Sequence, residues 1–263
     1  MKKSISTSVL TTAILSFFIL APILAFSSDE GDNDKPKKNK GTKGILDLKA
    51  TNEPDVPGAL VIEIANNILT NSPDMMSLDW LGSWSVNLYY MYDVPIGDSH
   101  FSFNPGIGVG LEKYSFSQDI TLATIVDDTE TFIEDLSNTL PNASKFRKTK
   151  LANNYVDIPM EFRYHLNREN KRKSFKVALG AKIGFLYDAH TKVKYEDNDK
   201  TKKYKGYEKF NINTFRYGAY ARLGVSGVSF YYYYGISEMF ENNKGPDQTR
   251  AKTMMFGISI AGF

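Results

Sequence analysis

Apolar and polar positions alternate along most of this chain, most clearly at residues 155–166, which read Y-V-D-I-P-M-E-F-R-Y-H-L. On a strand with a two-residue period, Val156, Ile158 and Phe162 share one face, and Asp157 and Glu161 share the other. The charged face is too dense for the core of a soluble protein, and the apolar face is too continuous for a surface in water. A membrane β-barrel accommodates both, because lipid contacts the apolar face and an enclosed lumen contacts the polar face.

The same pattern recurs eight times and predicts an all-β fold, an eight-stranded antiparallel transmembrane up-and-down β-barrel with long outer loops. The predicted strands are residues 58–65, 81–94, 101–114, 151–166, 175–194, 210–225, 228–240 and 251–263. Most of them reach the roughly 9–11 residues that a tilted strand needs to cross a bilayer. The connections alternate between long and short, which predicts long outer loops and short periplasmic turns.

The N-terminus has the pattern of a signal peptide over residues 1–25, with Lys2 and Lys3 before an apolar stretch and Ala25 at the cleavage site. The alternative, a membrane-anchor helix, is disfavoured by the short stretch and by Pro22. Residues 26–57 are predicted to form a polar periplasmic leader, and residues 58–263 the barrel. Cleavage would remove two lysines and no acidic residue, so the formal net charge would fall from +2 to 0. Charge therefore gives no reason to expect a nucleic-acid partner.

Charged residues of both signs are predicted to face the lumen. Eight strands enclose an interior that side chains just fill, so we expect an ion-paired plug. The alternative is a channel for small solutes, which needs a less filled lumen. The predicted lumen network consists of Glu63, Glu112, Asp157, Glu161, Arg163, Lys182, Arg216 and Arg222. Gly106, Gly108 and Gly110 alternate on the same face of the third strand and are expected to make room for large neighbours.

The longest connection, residues 116–150, is predicted to contain a short helix over residues 129–140, capped by Asp127 or Asp128. A lid on the barrel mouth is the simpler interpretation, and a docking element for a partner protein is the alternative. The side that would meet the partner consists of Phe132, Ile133, Leu136 and Leu140. The Lys- and Tyr-rich residues 192–209 are either a solvated loop or a contact with anionic lipopolysaccharide.

No catalytic, metal or cofactor site is predicted. His190 and Asp188 share a face of the fifth strand, and Ser237 lies at the outer end of the seventh, but these strands are not neighbours. No group of residues has metal-ligand spacing. A further alternative is a soluble lipocalin-like barrel, whose G-x-W motif is matched by residues 82–84 and whose apolar face would point inward to a ligand.

Three segments resemble the PorT-like outer-membrane β-barrel proteins: the strand at 155–166, L-G-A-K-I-G-F-L-Y-D at 179–188, and Y-G-A-Y-A-R-L-G-V at 217–225. The resemblance covers about residues 81–263, and its motifs describe architecture more than function. It implies a non-enzymatic structural or interaction component of a Gram-negative outer membrane, accessory to protein secretion. The implied partners are outer-membrane lipid, lipopolysaccharide and proteins of the secretion machinery.

Overall fold

The computed structural model describes residues 58–125, 130–167, 174–198 and 200–261. The predicted signal peptide and leader therefore lie outside the described residues, as does the end of the last predicted strand. The strands are β1 (Ala59–Thr70), β2 (Trp84–Met91), β3 (Val94–Pro95), β4 (Phe101–Phe116), β5 (Ile120–Thr124), β6 (Thr131–Asp135), β7 (Lys145–His165), β8 (Phe175–Asp197), β9 (Lys200–Gly206), β10 (Phe215–Val225), β11 (Val228–Gly235) and β12 (Lys252–Ala261).

Eight of these strands close into an antiparallel barrel. Each of β1, β2, β4, β7, β8, β10, β11 and β12 pairs with the next in this order, and β12 pairs back with β1. The predicted up-and-down barrel with alternating long and short connections is thus confirmed. The remaining strands are additions to this wall: β3 pairs with β4, β9 pairs with the outer end of β8, and β5 and β6 form a separate hairpin.

The two faces of the wall differ in the way that a membrane requires. On β7, Val156, Ile158 and Phe162 are exposed on the outside, whereas Asp157 and Glu161 between them are fully buried in the lumen. Apolar side chains outside and charged side chains inside are the reverse of a lipocalin, so the lipocalin-like alternative is wrong. Lipid is the solvent that makes this arrangement stable.

Aromatic side chains mark the two borders of the apolar band. Phe101 and Tyr164 pack together at the periplasmic ends of β4 and β7, with ring centroids 5.1 Å apart. Phe185, in the middle of the long strand β8, and Phe215, at the outer end of β10, do the same at 5.3 Å. Such rings favour the interface between hydrocarbon and head groups, so the two pairs define the height of the membrane on the barrel.

β2 spans Trp84–Met91 and not residues 81–94, and β10 and β11 are each five residues shorter at their outer ends than predicted. β10 begins at Phe215 and not at residue 210, because Phe210 and Asn211 have positive φ angles of 49° and 47°, which extended strands do not allow. β11 ends at Gly235 and not at residue 240. Both excluded segments turn inward, and Phe210 and Phe240 are buried over the barrel mouth.

The predicted helix over residues 129–140 is wrong, although its proposed caps, Asp127 and Asp128, lie outside the described residues. Residues 131–135 form β6, which pairs with β5, and only Leu136–Thr139 forms a helix, of one turn. Thr131, Phe132 and Ile133 are β-branched or aromatic and favour a strand once a partner strand is available. No helix in the described ranges is long and apolar enough to cross a membrane.

Asp135 takes the capping role at the start of this helical turn. Its side chain accepts a hydrogen bond of 2.8 Å from the backbone N–H of Ser137. The Ser137 hydroxyl and then this N–H lower the pKa of the exposed Asp135 carboxyl. The cap therefore contributes most when the carboxyl is ionised and is lost as the pH falls through its lowered pKa.

Candidate functional site: a sealed lumen and its outer cap

The outer half of the lumen is organised around Arg216 of β10. Its guanidinium pairs with Glu112 of β4 and donates hydrogen bonds of 3.0 and 2.9 Å to both carboxylate oxygens of Asp157 on β7. The guanidinium also lies over the Tyr155 ring, 3.6 Å from its centroid. Glu112 accepts a further hydrogen bond of 2.6 Å from the Tyr114 hydroxyl. One cation thus joins three strands across the lumen.

The periplasmic half repeats this arrangement around Arg222, six residues further along β10. Its Nε donates to Glu63 of β1 at 3.0 Å, and its Nη1 pairs with Glu161 of β7. Arg163 pairs with the other oxygen of Glu161 through a 3.0 Å hydrogen bond from its Nε. Asn87 of β2 donates to the remaining oxygen of Glu63 at 2.8 Å. Both buried carboxylates are therefore fully engaged.

Lys182 of β8 lies between the two halves. Its Nζ is 3.8 Å from Asp157 and 3.2 Å from the hydroxyl of Tyr89, which itself donates to Asp157 at 2.8 Å. The ammonium also lies 4.3 Å from the centroid of the Tyr233 ring. A fully buried lysine needs such partners, because an isolated charge in a dry interior would lose its hydration without compensation.

The structure places all eight predicted lumen residues in ion pairs, which form two neighbouring groups of four. Four carboxylates (Glu63, Glu112, Asp157 and Glu161) face four cations (Arg163, Lys182, Arg216 and Arg222), so the formal charges cancel. A cavity at the periplasmic mouth, beside Arg163 and Arg222, holds only about 10 Å³. That is about the space of a single water molecule. The lumen is therefore filled by its own side chains.

Glycines make the space that these side chains occupy. A Cβ on Gly110 of β4 would lie 2.6 Å from Asp157 Oδ2 and 2.9 Å from Arg216 Nη2, and one on Gly108 would lie 2.7 Å from the Tyr89 ring. The predicted role of the glycine file on β4 is confirmed. Gly184 on β8 serves the same purpose, since its Cβ would lie 2.7 Å from Arg216 Nε.

A second barrier covers the outer mouth, and the sequence predicted it only in part, as a lid formed by residues 116–150. Apolar residues from the outer connections and the tops of the strands form one buried cluster, the mouth cap: Met76, Tyr114, Phe116, Ile120, Leu122, Leu151, Ala189, Phe210, Ile212, Met239, Phe240 and Ala251. The missed contributions come from outside that connection, for example from Met76, Phe210 and Phe240, and the available signal was their size and apolar character near the outer strand ends. Such residues are seldom left in water, so the loops fold inward to bury them.

The four residues predicted to form a docking side do not share one. Leu136 is fully buried and Ile133 packs against the mouth cap, whereas Phe132 is exposed. Leu140 is half-buried at the end of the helical turn. The reason is the strand geometry of β6, which sends neighbouring side chains to opposite faces.

The candidate catalytic residues are likewise not assembled. Asp188 lies 2.9 Å from His190 Nδ1, but the Ser237 hydroxyl hydrogen-bonds with the backbone of Tyr217 instead. Within the described residues, no group of three or more acidic or histidine side chains could hold a metal ion.

A closed β-barrel with a lipid-exposed apolar wall and an ion-paired interior defines an outer-membrane barrel protein. The chain belongs to the family described as outer membrane protein beta-barrel domain, which matches residues 59–241. Its place is therefore the outer membrane of a Gram-negative bacterium.

Solved structures of other barrels show a more distant similarity. Ail, the attachment invasion locus protein of Yersinia pestis, is 14% identical, and the match covers 78% of this chain and 97% of that one with a TM-score of 0.33. A second structure of Ail, in complex with the heparin analogue sucrose octasulfate, gives the same identity and TM-score. A mutant porin of Rh. blastica is 9% identical, with coverage of 78% and 98% and a TM-score of 0.20. No match was found among curated protein sequences.

Proposed function

We propose that this protein is a sealed, non-enzymatic barrel that acts as a structural and interaction component of the outer membrane, accessory to protein secretion. The observation that carries the proposal is the double barrier, an ion-paired lumen beneath an apolar mouth cap. A protein that transports solutes needs a water-filled path, and both barriers oppose one. The part of the molecule that is free to act is then its outer surface.

The outer connections are built to present such a surface. The β5–β6 hairpin is held in place by Leu136, which is fully buried, and by Ile120 and Leu122 in the mouth cap. Near its free end, Ile125 and Phe132 remain 46% and 39% exposed. Rigidly supported loops with exposed apolar groups are frequent sites of recognition. The resemblance to PorT-like proteins is the support for secretion as the process served.

The sealed lumen is tested by single-channel recording in planar bilayers. We expect no unit conductance from the purified, refolded protein. A porin of known conductance, reconstituted in the same way, is the positive control for detection. Stable conductance steps in the native protein would contradict the proposal and support the small-solute channel.

The interaction role is tested at the hairpin. In cells whose only copy of the gene encodes the F132D variant, the amount of secreted protein should fall. The reason is that the new charge would disrupt an apolar contact between the hairpin and its partner. The matched control is I96D, which changes an equally exposed apolar residue in a periplasmic turn. Equal secretion by F132D and native cells, with both barrels present in the outer membrane, would remove the hairpin from the proposed function.

A further inference from the structure

Six lysines gather on the outer side of the wall above the apolar band. We name them the outer lysine cluster: Lys113 on β4, Lys148 and Lys150 on β7, Lys192 and Lys194 on β8, and Lys203 on β9. With Ala152 and His190 they line one open cavity of about 270 Å³. Three pairs of these lysines lie directly opposite each other on neighbouring strands: Lys148 and Lys194, Lys150 and Lys192, and Lys194 and Lys203.

The cluster has no counter-charge of its own. Among the described residues, none of the six lysines has a carboxylate within the 4.0 Å of an ion pair. The nearby acids are engaged elsewhere, Glu196 with Arg147, Asp197 with Lys202, and Asp188 with His190. The Asp79 carboxylate attracts the Lys150 ammonium, but the two groups are farther apart than an ion pair. Like charges placed opposite each other on a sheet destabilise it, so this arrangement calls for an external anion.

The cluster points toward the membrane side of the wall and not into the lumen. On β7 and β8 the intervening residues Thr149, Leu151, Thr191 and Val193 are the buried ones. Lower on the outward face of β7, Val156 and Ile158 contact lipid. Lys113 marks the transition, because its Nζ lies 4.0 Å from the centroid of the Trp84 ring. Indole rings favour the interface, so the cluster stands at the level of the outer head groups.

We propose that the outer lysine cluster binds the phosphate groups of a bisphosphorylated glycolipid in the outer leaflet. Ammonium groups bind phosphate as point charges, and several lysines around one cavity match a head group that carries more than one phosphate. The apolar wall directly below would accept the acyl chains of the same molecule. A soluble polyanion would satisfy the charges but would leave this alignment with the lipid-exposed wall unexplained. The site is independent of the proposed role in secretion.

The test measures binding of purified bisphosphorylated lipid A to the full-length protein in nanodiscs of zwitterionic lipid. The variant K148Q/K150Q/K192Q/K194Q removes four cluster charges. The matched control, K200Q/K202Q/K209Q/K244Q, removes four lysines from outside the cluster. Each lysine near a membrane surface adds an appreciable attraction, so we expect the cluster variant to bind about a hundredfold more weakly and the control less than about tenfold.

Further measurements test whether the phosphate groups are required for binding and whether each variant is folded. Dephosphorylated lipid A should bind no better to the native protein than to the cluster variant, and K192R/K194R should retain binding. Heat-dependent migration on SDS gels shows that each variant is folded. The proposal would be overturned if the cluster and control variants lost the same affinity for lipid A. It would also be overturned if the native protein bound dephosphorylated lipid A as tightly as the bisphosphorylated form. Binding of a soluble sulfated polysaccharide without binding of lipid A would overturn it as well.

Discussion

At the scale of single residues, the central feature is that the lumen charges are shared and not merely paired. Arg216 and Arg222 each serve two carboxylates from different strands. Removing one arginine therefore leaves two acids without their main partner in a dry interior. The loss of one partner from a buried pair costs far more than the net contribution of the pair itself.

We expect R216M to lower the free energy of unfolding by about 3–5 kcal/mol, because Glu112 and Asp157 stay buried without a cation. The measurement is urea-induced unfolding in lipid vesicles. R250M is the control, since Arg250 is exposed in its pair with Glu238 and should cost at most about 1 kcal/mol. The triple variant R216M/E112Q/D157N should regain part of the loss. Similar free energies of unfolding for R216M and R250M would show that water reaches the lumen ion pairs and that they contribute little to stability.

A second prediction at this scale concerns the glycines that line the lumen. G110A should destabilise the barrel by about 1–3 kcal/mol, because the added methyl group meets Asp157 and Arg216. The control A219V also enlarges a small residue, but on the exposed outer face of β10, where lipid can yield. Midpoints of unfolding in urea separate the two. A G110A midpoint equal to that of A219V would mean that the lumen has spare room.

Which residues face the lumen could be predicted from the two-residue period, and all eight predicted charges lie there. The partner of each charge could not, because it depends on the stagger between strands. Arg222 is opposite Tyr231 and Ala178 in the sheet, yet its ion pairs reach β1 and β7 across the interior. Distances across a lumen are set by closure and not by local sequence.

At the scale of elements, the strands that cross the membrane were predicted more accurately than those above it. Their alternation is enforced by lipid on one side and charge on the other, which fixes register strongly. The hairpin β5–β6 lacks that constraint. Its apolar residues at 132, 133, 136 and 140 have helical spacing, but pairing with β5 and burial of Leu136 decide the structure.

The apolar faces of the strands are tested by placing a charge in them. Leu179 lies on the outward face of β8 between Phe175 and Phe185, and it is 65% exposed. L179R should cost about 2–4 kcal/mol, as expected for arginine near the bilayer midplane. Y204R on β9, above the apolar band, should stay within about 0.5 kcal/mol. Unfolding in vesicles measures both, and an L179R as stable as Y204R would contradict the assigned membrane position.

At the scale of the whole molecule, the barrel is one closed sheet whose interior and mouth are both filled. Closure was predictable from an even number of alternating segments, because no edge strand is then left unpaired. A lid from residues 116–150 was predicted, but the full set of residues in the mouth cap was not, since the cap joins residues as distant as Met76 and Ala251. It depends on which loops bend inward, and that choice is made by packing and not by periodicity.

Closure predicts resistance to detergent. Unheated samples in SDS should keep the barrel and migrate differently from boiled samples, because the hydrogen bonds of a closed sheet leave no edge for unfolding to begin. Electrophoresis of outer-membrane fractions with and without heating measures this. A single band at the unfolded position in both lanes would argue against a closed sheet.

The seam between β1 and β12 has a consequence for assembly. The seam pairs Val61 with Ala261 and Thr70 with Lys252. The first strand of the barrel can therefore complete its pairing only when the last strand has been added. Contacts so far apart along a chain are formed late and slowly, because a long loop must be closed before they are gained. Until β12 is in place, the apolar faces of the earlier strands and the free edge of β1 stay exposed, and such surfaces make an incompletely folded chain prone to aggregation.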